Sequence, residues 1–350
     1  MSPVDLVVVT LIVVGAGICA VLTTVAVSSL IQMHRVRREP RLAAVRQAVV
    51  VALSGPDDPG PGAFTGLSRS TRRYVSAVLL ELAPSVNGTS RMVLNTLGER
   101  VGMLGRARRG IRSRRWSTRR YSARVLTALG VESDALVGLF DDTAPEVRAQ
   151  AATWAVATPS PGAVAGLVGL LGDTDGLCRF AAQDALIRIG LPAFRALLDA
   201  LASADDDVTG HILEIAAAGG DGRFAGPATD LCGHVAPRLR ARAASALART
   251  GDPAAGPVLV GLLDDPSHEV VLAAASGLAQ LSYWPGAAEV EPLLSRPSWE
   301  VRRQAGLTLL ALGDPGTVLL WANAPGDGQA SDMSIQALQL RSLAAGGAPA

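Results

Sequence analysis

Residues 257–281, PVLVGLLDDPSHEVVLAAASGLAQL, contain the pattern that decides the fold of this chain. An apolar stretch at 257–265 is followed by a turn and by a second, alanine-rich stretch that starts at Val270. Apolar residues recur at helical spacing in both stretches, so each is predicted to form a helix. Aromatic residues make up only 4% of the chain, which argues against a β-sandwich or barrel.

The alanine-rich stretch recurs at nearly constant intervals. Seven copies begin at Thr118, Val147, Cys178, Val208, Leu239, Val270 and Val301, with steps of 29, 31, 30, 31, 31 and 31 residues. The fourth residue after the start is alanine in five copies, and the eighth is leucine in five. These positions share one helical stripe, where small residues allow close approach and leucine fills the seam. The period predicts a stack of similar helix pairs.

Charged residues also recur at fixed positions. Aspartates stand five residues before the start of three copies, and arginines stand one residue after the start of four: Asp142, Asp173 and Asp265, and Arg148, Arg179, Arg240 and Arg302. We predict that the carboxylates cap the second helix of each pair, and that acid and guanidinium pair between stacked units as a structural ladder. Gly251-Asp252-Pro253 and Gly313-Asp314-Pro315 predict a left-handed helix end, an N-cap and a proline in the next first turn.

Residues 6–31 run for 26 positions without a charged side chain. A helix of that length is about 39 Å long, enough to cross a hydrocarbon core of about 30 Å. The run lacks the basic start and the short apolar core of a cleaved signal peptide. We therefore predict a membrane anchor that includes Leu6, Ile12, Val21, Leu30 and Ile31. Small residues from Gly15 to Ala20 predict no more than a weak homodimer through it.

Arg35, Arg37 and Arg38 follow the apolar run. By the positive-inside rule, they predict a single-pass protein of the cell membrane, with its N-terminus outside and the remaining residues in the cytoplasm. The three cysteines lie in apolar contexts without a disulfide framework, which agrees with a reducing compartment.

All 32 basic residues are arginine, which excludes phosphate-loop and Schiff-base chemistry that needs lysine. Residues 35–124 hold 19 arginines against five acidic residues, whereas residues 125–350 hold 13 arginines against 25 acidic residues. Ten arginines lie between Arg100 and Arg124. Together with Arg35, Arg37 and Arg38, the following residues are predicted to bind anionic lipid headgroups or an acidic partner: Arg106, Arg108, Arg109, Arg112, Arg114, Arg115, Trp116, Arg119 and Arg120. Nucleic-acid binding through phosphate contacts and stacking, and a merely solvated face, are the alternatives.

The repeat pattern LLDD…EV…AAA…L…LGDP resembles HEAT-type repeats, specifically the short HEAT-like repeats of phycobilisome lyases. The resemblance implies an all-α solenoid of stacked antiparallel helix pairs. We predict four regions: the transmembrane anchor at 1–33, a basic membrane-proximal helical region with degenerate repeats at 34–117, the HEAT-like solenoid at 118–321, and a C-terminal helix with a flexible tail at 322–350.

Histidine, cysteine and acidic residues form no convincing catalytic or metal motif. His268-Glu269 is a single pair at a helix start, His211 and Glu214 lack a second ligand set nearby, and Cys232 and His234 flank Gly233 alone. The run 205–207, three aspartates, lacks the alternating ligands of a calcium loop. We predict that the chain is not an enzyme and holds no metal and no cofactor.

Together these features predict a membrane-anchored, cytoplasm-facing HEAT-repeat scaffold or adaptor that binds and organises a protein partner at the cell membrane. Similarity to anchored HEAT-repeat proteins of bacteria implies a membrane enzyme, such as a glycosyltransferase, as that partner. The alternative function is a nucleic-acid-binding HEAT-like module that uses residues 100–124.

Overall fold

The computed structural model describes residues 43–54, 64–86, 88–131 and 134–346. Within these ranges the regular secondary structure is entirely helical. The predicted anchor, with Leu6, Ile12, Val21, Leu30 and Ile31, lies outside the described residues, as do Arg35, Arg37 and Arg38. No helix in the described ranges is long and apolar enough to cross a membrane. The chain divides into two compact units, residues 1–131 and 132–350.

The first unit contains five described helices: α1 (43–54), α2 (Arg69–Leu82), α3 (Thr89–Arg100), α4 (Met103–Gly110) and α5 (Trp116–Ala128). Its core is made by buried aliphatic side chains such as Val75, Leu79, Leu94 and Leu126. Helices α4 and α5 pack against each other and carry most of the arginine-rich segment. The copy that starts at Thr118 therefore belongs to this unit, whereas the other six belong to the second.

The second unit alternates shorter first helices with longer second helices. The first helices are α6 (Asp134–Val137), α8 (Pro161–Leu170), α10 (Leu191–Leu201), α12 (Ala225–Leu231), α14 (Ala255–Gly261), α16 (Ala287–Val290) and α18 (Asp314–Asn323). The second helices are α7 (Pro145–Ala157), α9 (Gly176–Ile189), α11 (Asp206–Gly219), α13 (Pro237–Arg249), α15 (His268–Gln280), α17 (Trp299–Ala311) and α19 (Gln329–Gly346). Short 3-10 turns extend several of the first helices, as at Leu262–Asp264.

Each second helix packs on the next, from α7 to α19 in chain order. The predicted seam is confirmed, because the five alanines and the leucines four residues later are buried: Ala151, Ala182, Ala243, Ala274 and Ala305, and Leu186, Leu247, Leu278 and Leu309. Alanine allows neighbouring helices to approach closely, and leucine fills the space between turns. The second unit is therefore an α-solenoid held by nearest-neighbour packing.

The predicted helix ends are confirmed in part. Gly251 and Gly313 have φ of 71° and 77°, the left-handed region that glycine adopts without steric cost. Pro315 stands in the first turn of α18, where its missing N–H costs no hydrogen bond. Asp314 is not the predicted N-cap, since Gly313 holds that position and Asp314 is already helical. Asp252 accepts a hydrogen bond from the Ala254 N–H, inside the loop.

A glycine marks a close approach in the middle of the stack. Gly256 in α14 lies against the ring of Tyr283, and a Cβ there would overlap the ring. Gly261, at the end of the same helix, has open space where its Cβ would stand. Alanine is thus excluded at one position of α14 and accommodated at the other.

Candidate interaction surfaces

The charged ladder forms at two places in the second unit. Arg148 donates from Nε and Nη2 to the Asp173 carboxylate at 2.6 and 2.8 Å. Arg240 donates from the same two atoms to Asp265 at 2.7 and 2.8 Å. Each pair links one second helix to the loop that precedes the next, and both partners are mostly buried. The bound arginine lowers the pKa of Asp173 and of Asp265, and outweighs the opposing effect of burial.

The aspartates of the ladder do not cap the second helices directly, which corrects that part of the prediction. Asp142, Asp173 and Asp265 each accept a hydrogen bond at 2.8 Å from the backbone N–H two residues later, at Ala144, Asp175 and Ser267. Those three later residues are the N-caps of α7, α9 and α15. The carboxylate thus closes a turn before the helix, and it keeps its second oxygen for an arginine.

Every ladder arginine also binds a loop carbonyl. Nη1 donates to the carbonyl oxygen six residues earlier: Arg148 to Asp142, Arg179 to Asp173, Arg240 to His234, and Arg302 to Arg296, at 2.6 to 2.8 Å. Arg119 makes the same bond to Ser113 at 2.9 Å. Arg119 stands one residue after the start of its copy, so the repeat register indicates this ladder contact for a residue that the arginine-rich segment predicts to bind lipid.

Ladder arginines differ in their carboxylate partners. Arg179 and Arg302 form no ion pair among the described residues and donate from Nη1 to two loop carbonyls each. In the copy after Arg179, Ser203 occupies the position that Asp173 and Asp265 hold, five residues before the start. A neutral, shorter side chain leaves the Nε and Nη2 atoms of Arg179 without a protein acceptor in the described ranges.

The first unit presents an arginine face, which we define by seven exposed arginines of α4, α5 and the loop between them: Arg108, Arg109, Arg112, Arg114, Arg115, Arg120 and Arg124. None of their guanidinium groups makes a hydrogen bond or an ion pair within the described part of the chain. Trp116 and Tyr121 are about half exposed beside them on α5. Because Trp116, Arg120 and Arg124 are spaced four residues apart, they share one side of that helix.

Arg106 does not belong to the arginine face, although the sequence analysis predicts that it binds lipid with these residues, because its side chain is bound within the unit. Its guanidinium donates to the Val101 carbonyl at 3.0 Å and to the Ser76 hydroxyl at 3.3 Å, thus fastening α4 to α2. The described part of the first unit still carries 15 arginines against two glutamates. Glu81 pairs with Arg46 at 2.7 Å. The arginine face therefore has almost no internal counter-charge.

In the second unit, the second helices α7, α9, α11, α13, α15 and α17 each expose one side to solvent, and we call these exposed sides together the second-helix face. On it, α9 exposes Leu177, Phe180 and Ile187, with 52%, 68% and 43% of their surfaces accessible. Their spacing places them on one side of the helix, an apolar stripe that we call the α9 stripe. No signal in the repeat pattern singled them out, because these positions hold unrelated residues in the other copies.

Next to the α9 stripe, polar side chains of three helices form a network. Gln183 Nε2 lies 2.7 Å from His211 Nδ1 and donates to the Glu214 carboxylate at 2.9 Å. Glu214 also pairs with Arg242 at 2.7 Å. Gly210 makes room for this guanidinium, since a Cβ there would overlap Arg242. The network joins α9, α11 and α13, so His211 and Glu214 serve contacts between helices.

A cavity of about 350 Å³ opens at the N-terminal ends of these three helices. Its walls are mostly charged: Leu171, Gly172, Asp173, Arg179, Asp205, Asp207, His211, Arg238 and Arg242. Arg238 is exposed, and its guanidinium makes no hydrogen bond or ion pair with a described residue. This cavity was not predicted, because it joins residues up to 71 positions apart in the chain.

The remaining candidates for chemistry have structural contacts. His234 Nδ1 accepts from the Ala236 N–H at 3.2 Å, in the position that aspartate holds in other loops. Cys178 and Cys232 are buried, and burial raises the pKa of the Cys232 thiol to about 11. Within the described ranges, no three His, Cys, Asp or Glu residues are placed to hold a metal ion.

Comparison with known proteins agrees with this architecture. Residues 132–218 and 194–279 match the family model of HEAT repeats. This part of the chain is therefore a HEAT-repeat solenoid. The search of curated proteins found no match.

Solved structures with a similar chain trace include an engineered protein that is 19% identical to this chain. The TM-score is 0.38, and the match covers 84% of this chain and 88% of the engineered protein. The complex of CpcE and CpcF of phycocyanin lyase from Nostoc sp. PCC7120 is 22% identical, with a TM-score of 0.32 over 61% of this chain and 91% of that one. The karyopherin Kap121p is 13% identical, with a TM-score of 0.41 over 85% of this chain. The matched region spans 43% of Kap121p.

Proposed function

We propose that this chain is a non-enzymatic scaffold that binds a protein partner through its HEAT-repeat unit and is held at the cytoplasmic side of the cell membrane. The hydrophobic segment 6–31 supplies the anchor, and the arginine face contacts anionic lipid headgroups. The second-helix face binds the partner, which we propose to be a membrane enzyme, such as a glycosyltransferase. The chain acts by positioning its partner, because the anchor confines the bound partner to the membrane plane.

The α9 stripe is the observation that carries this proposal. Isolated apolar residues on a surface are ordinary, but Leu177, Phe180 and Ile187 lie together on one side of α9. Each repeat of a solenoid contacts only its neighbours, so the second-helix face has room for another protein. Large apolar side chains beside polar groups resemble the centre of a protein interface, where a few residues supply most of the binding energy.

The arginine face supports the membrane part of the proposal. Its guanidinium groups are exposed and unpaired within the described ranges, so no internal ion pair has to break on binding. An arginine near an anionic membrane surface contributes about 1 kcal/mol, and tryptophan favours the interfacial region. Trp116 stands on the same side of α5 as Arg120 and Arg124.

Co-purification tests the partner surface. The tagged full chain is extracted from its native membranes in mild detergent, beside the variants Phe180→Asp and Val318→Asp. Val318 is a matched control, since it is also highly exposed but lies on α18. We expect one near-stoichiometric membrane protein with the wild type and with Val318→Asp, and its loss with Phe180→Asp. Retention by Phe180→Asp would remove the α9 stripe from the proposal, and absence of any such protein would refute the scaffold function.

A second experiment separates lipid from nucleic acid. The full chain is placed in nanodiscs of phosphatidylcholine with or without phosphatidylglycerol, and hydrogen exchange of residues 103–124 is compared. We expect slower exchange with the anionic lipid, and no slowing in the double variant Arg120→Glu, Arg124→Glu. Sub-micromolar binding of a short DNA duplex at physiological salt, with exchange unaffected by lipid charge, would instead favour the nucleic-acid-binding alternative.

A further inference from the structure

The cavity at the N-terminal ends of α9, α11 and α13 contains two arginines whose guanidinium groups make no ion pair with a described residue. Asp173 is engaged by Arg148 through both oxygens. Asp205 caps α11 by accepting from the Val208 N–H at 2.9 Å. Glu214 neutralises Arg242. Arg179 and Arg238 are left as unpaired cations in the described structure, beside the exposed carboxylates of Asp205 and Asp207.

The ladder itself shows how Arg179 would bind a carboxylate. In Arg148 and Arg240, Nη1 holds a loop carbonyl while Nε and Nη2 hold both oxygens of an aspartate. Arg179 repeats the first half of this arrangement, since its Nη1 donates to the Asp173 and Thr174 carbonyls at 2.6 and 3.1 Å. Its Nη1 bonds therefore fix the guanidinium, while the donor pair used elsewhere for a carboxylate is unused. Bidentate pairing with a carboxylate is the strongest contact available to these two atoms.

We infer that an aspartate or glutamate side chain of the partner protein enters this cavity and binds Nε and Nη2 of Arg179, completing the ladder position that Ser203 leaves open. Arg238, at the rim, attracts the same charge. This inference rests on the proposed function and adds the chemistry of the partner: an acidic residue close to an apolar one. The apolar neighbour covers Leu177 and Phe180, which flank Arg179 on the same end of α9.

Two substitutions, Arg179→Gln and Ser203→Asp, alter the site, and a third serves as a control. Arg179→Gln removes the donor pair, and Arg302→Gln is its matched control, because Arg302 makes the same two loop contacts four repeats further on but does not line this cavity. Ser203→Asp supplies the missing carboxylate from the chain itself and fills the position. All three are compared in one background, Arg120→Glu with Arg124→Glu, so that binding of the acidic probe to the arginine face is weakened and is the same in every variant.

The probe is a fluorescein-labelled peptide of eight glutamates, with a peptide of eight glutamines as the neutral control. Its binding to the full chain in phosphatidylcholine nanodiscs is measured by anisotropy. We expect the affinity for the glutamate peptide to be at least fivefold lower in Arg179→Gln and in Ser203→Asp than in the background without them. The affinity of Arg302→Gln should equal that of the background. Equal affinities for Arg179→Gln and Arg302→Gln would overturn the inference.

The co-purification experiment distinguishes this inference from the function on which it rests. A partner captured by the wild type and equally by Arg179→Gln would overturn the carboxylate site and leave the scaffold function intact. If no partner is captured by any version, the scaffold function fails, while the peptide titration still reports whether Arg179 binds a carboxylate.

Discussion

Replacing Asp265 with alanine tests the energetic role of the ladder. The change removes two charge-assisted hydrogen bonds from Arg240, at 2.7 and 2.8 Å, and a third from the Ser267 N–H at 2.8 Å. The side chains of Arg240 and Asp265 are only 13% and 7% exposed, so water replaces these bonds poorly. A hydrogen bond to a charged group contributes about 1.5–3 kcal/mol, and loss of one partner of a fully buried pair costs about 3–5 kcal/mol. Since Arg240 keeps its loop carbonyls, we expect a loss of about 2–3 kcal/mol in the free energy of unfolding.

The neighbouring residue is a matched control for this change. Asp264 pairs with Arg296 at 3.2 Å, but its side chain is 92% exposed. Exposed ion pairs contribute little, so Asp264→Ala should cost no more than about 0.5 kcal/mol. Both variants are unfolded with urea in the same detergent and followed by far-ultraviolet circular dichroism. A difference between them below about 0.5 kcal/mol would refute the argument that burial gives the ladder its strength.

Acid should reduce the difference in stability between the wild type and Asp265→Ala. The pKa of Asp265 is lower in the folded chain than its ordinary value, because Arg240 stabilises the charged form. Its contribution is therefore complete above the ordinary aspartate pKa of about 4 and is lost as pH falls through the lower, folded value. Urea unfolding at pH 7 and at pH 3 measures this change, and a difference that grows towards acid would contradict the sign.

Packing leads to one further prediction and burial to another. Gly256→Ala places a Cβ against the ring of Tyr283 and should destabilise the fold by about 1–3 kcal/mol in thermal unfolding. Gly261→Ala, on the same helix, should change stability by less than about 1 kcal/mol. Equal effects of the two substitutions would show that the Tyr283 contact does not limit the size of the side chain at position 256. Iodoacetamide at pH 8 should modify Cys178 and Cys232 in urea but not in the folded chain, because burial raises the pKa of both thiols. Peptide mass spectrometry measures the modification, and equal rates in the folded and unfolded chain would contradict the prediction.

The sequence predicted the repeating architecture because its determinants are local and recur. Alanine and leucine at fixed positions produced the buried seam, and Gly251 and Gly313 adopted the left-handed conformation that their position requires. In a stack of helix pairs, each unit meets only the next, so a pattern within 31 residues is enough to specify most of the core. The anchor at 1–33 and the lipid-binding role of the arginines are still predictions from the sequence.

Tertiary structure decided which of the similar residues are satisfied internally and which are free. Arg148 and Arg179 hold the same repeat position, yet only Arg148 meets an aspartate, because the loop of the following repeat supplies Asp173 in one case and Ser203 in the other. Arg106 and Arg119 carry the same charge as their exposed neighbours, but they are bound to α2 and to a loop carbonyl. A side chain's partners come from the adjacent helices, so the pattern within one repeat determines where an arginine stands, and the packing of repeats determines what it can still bind.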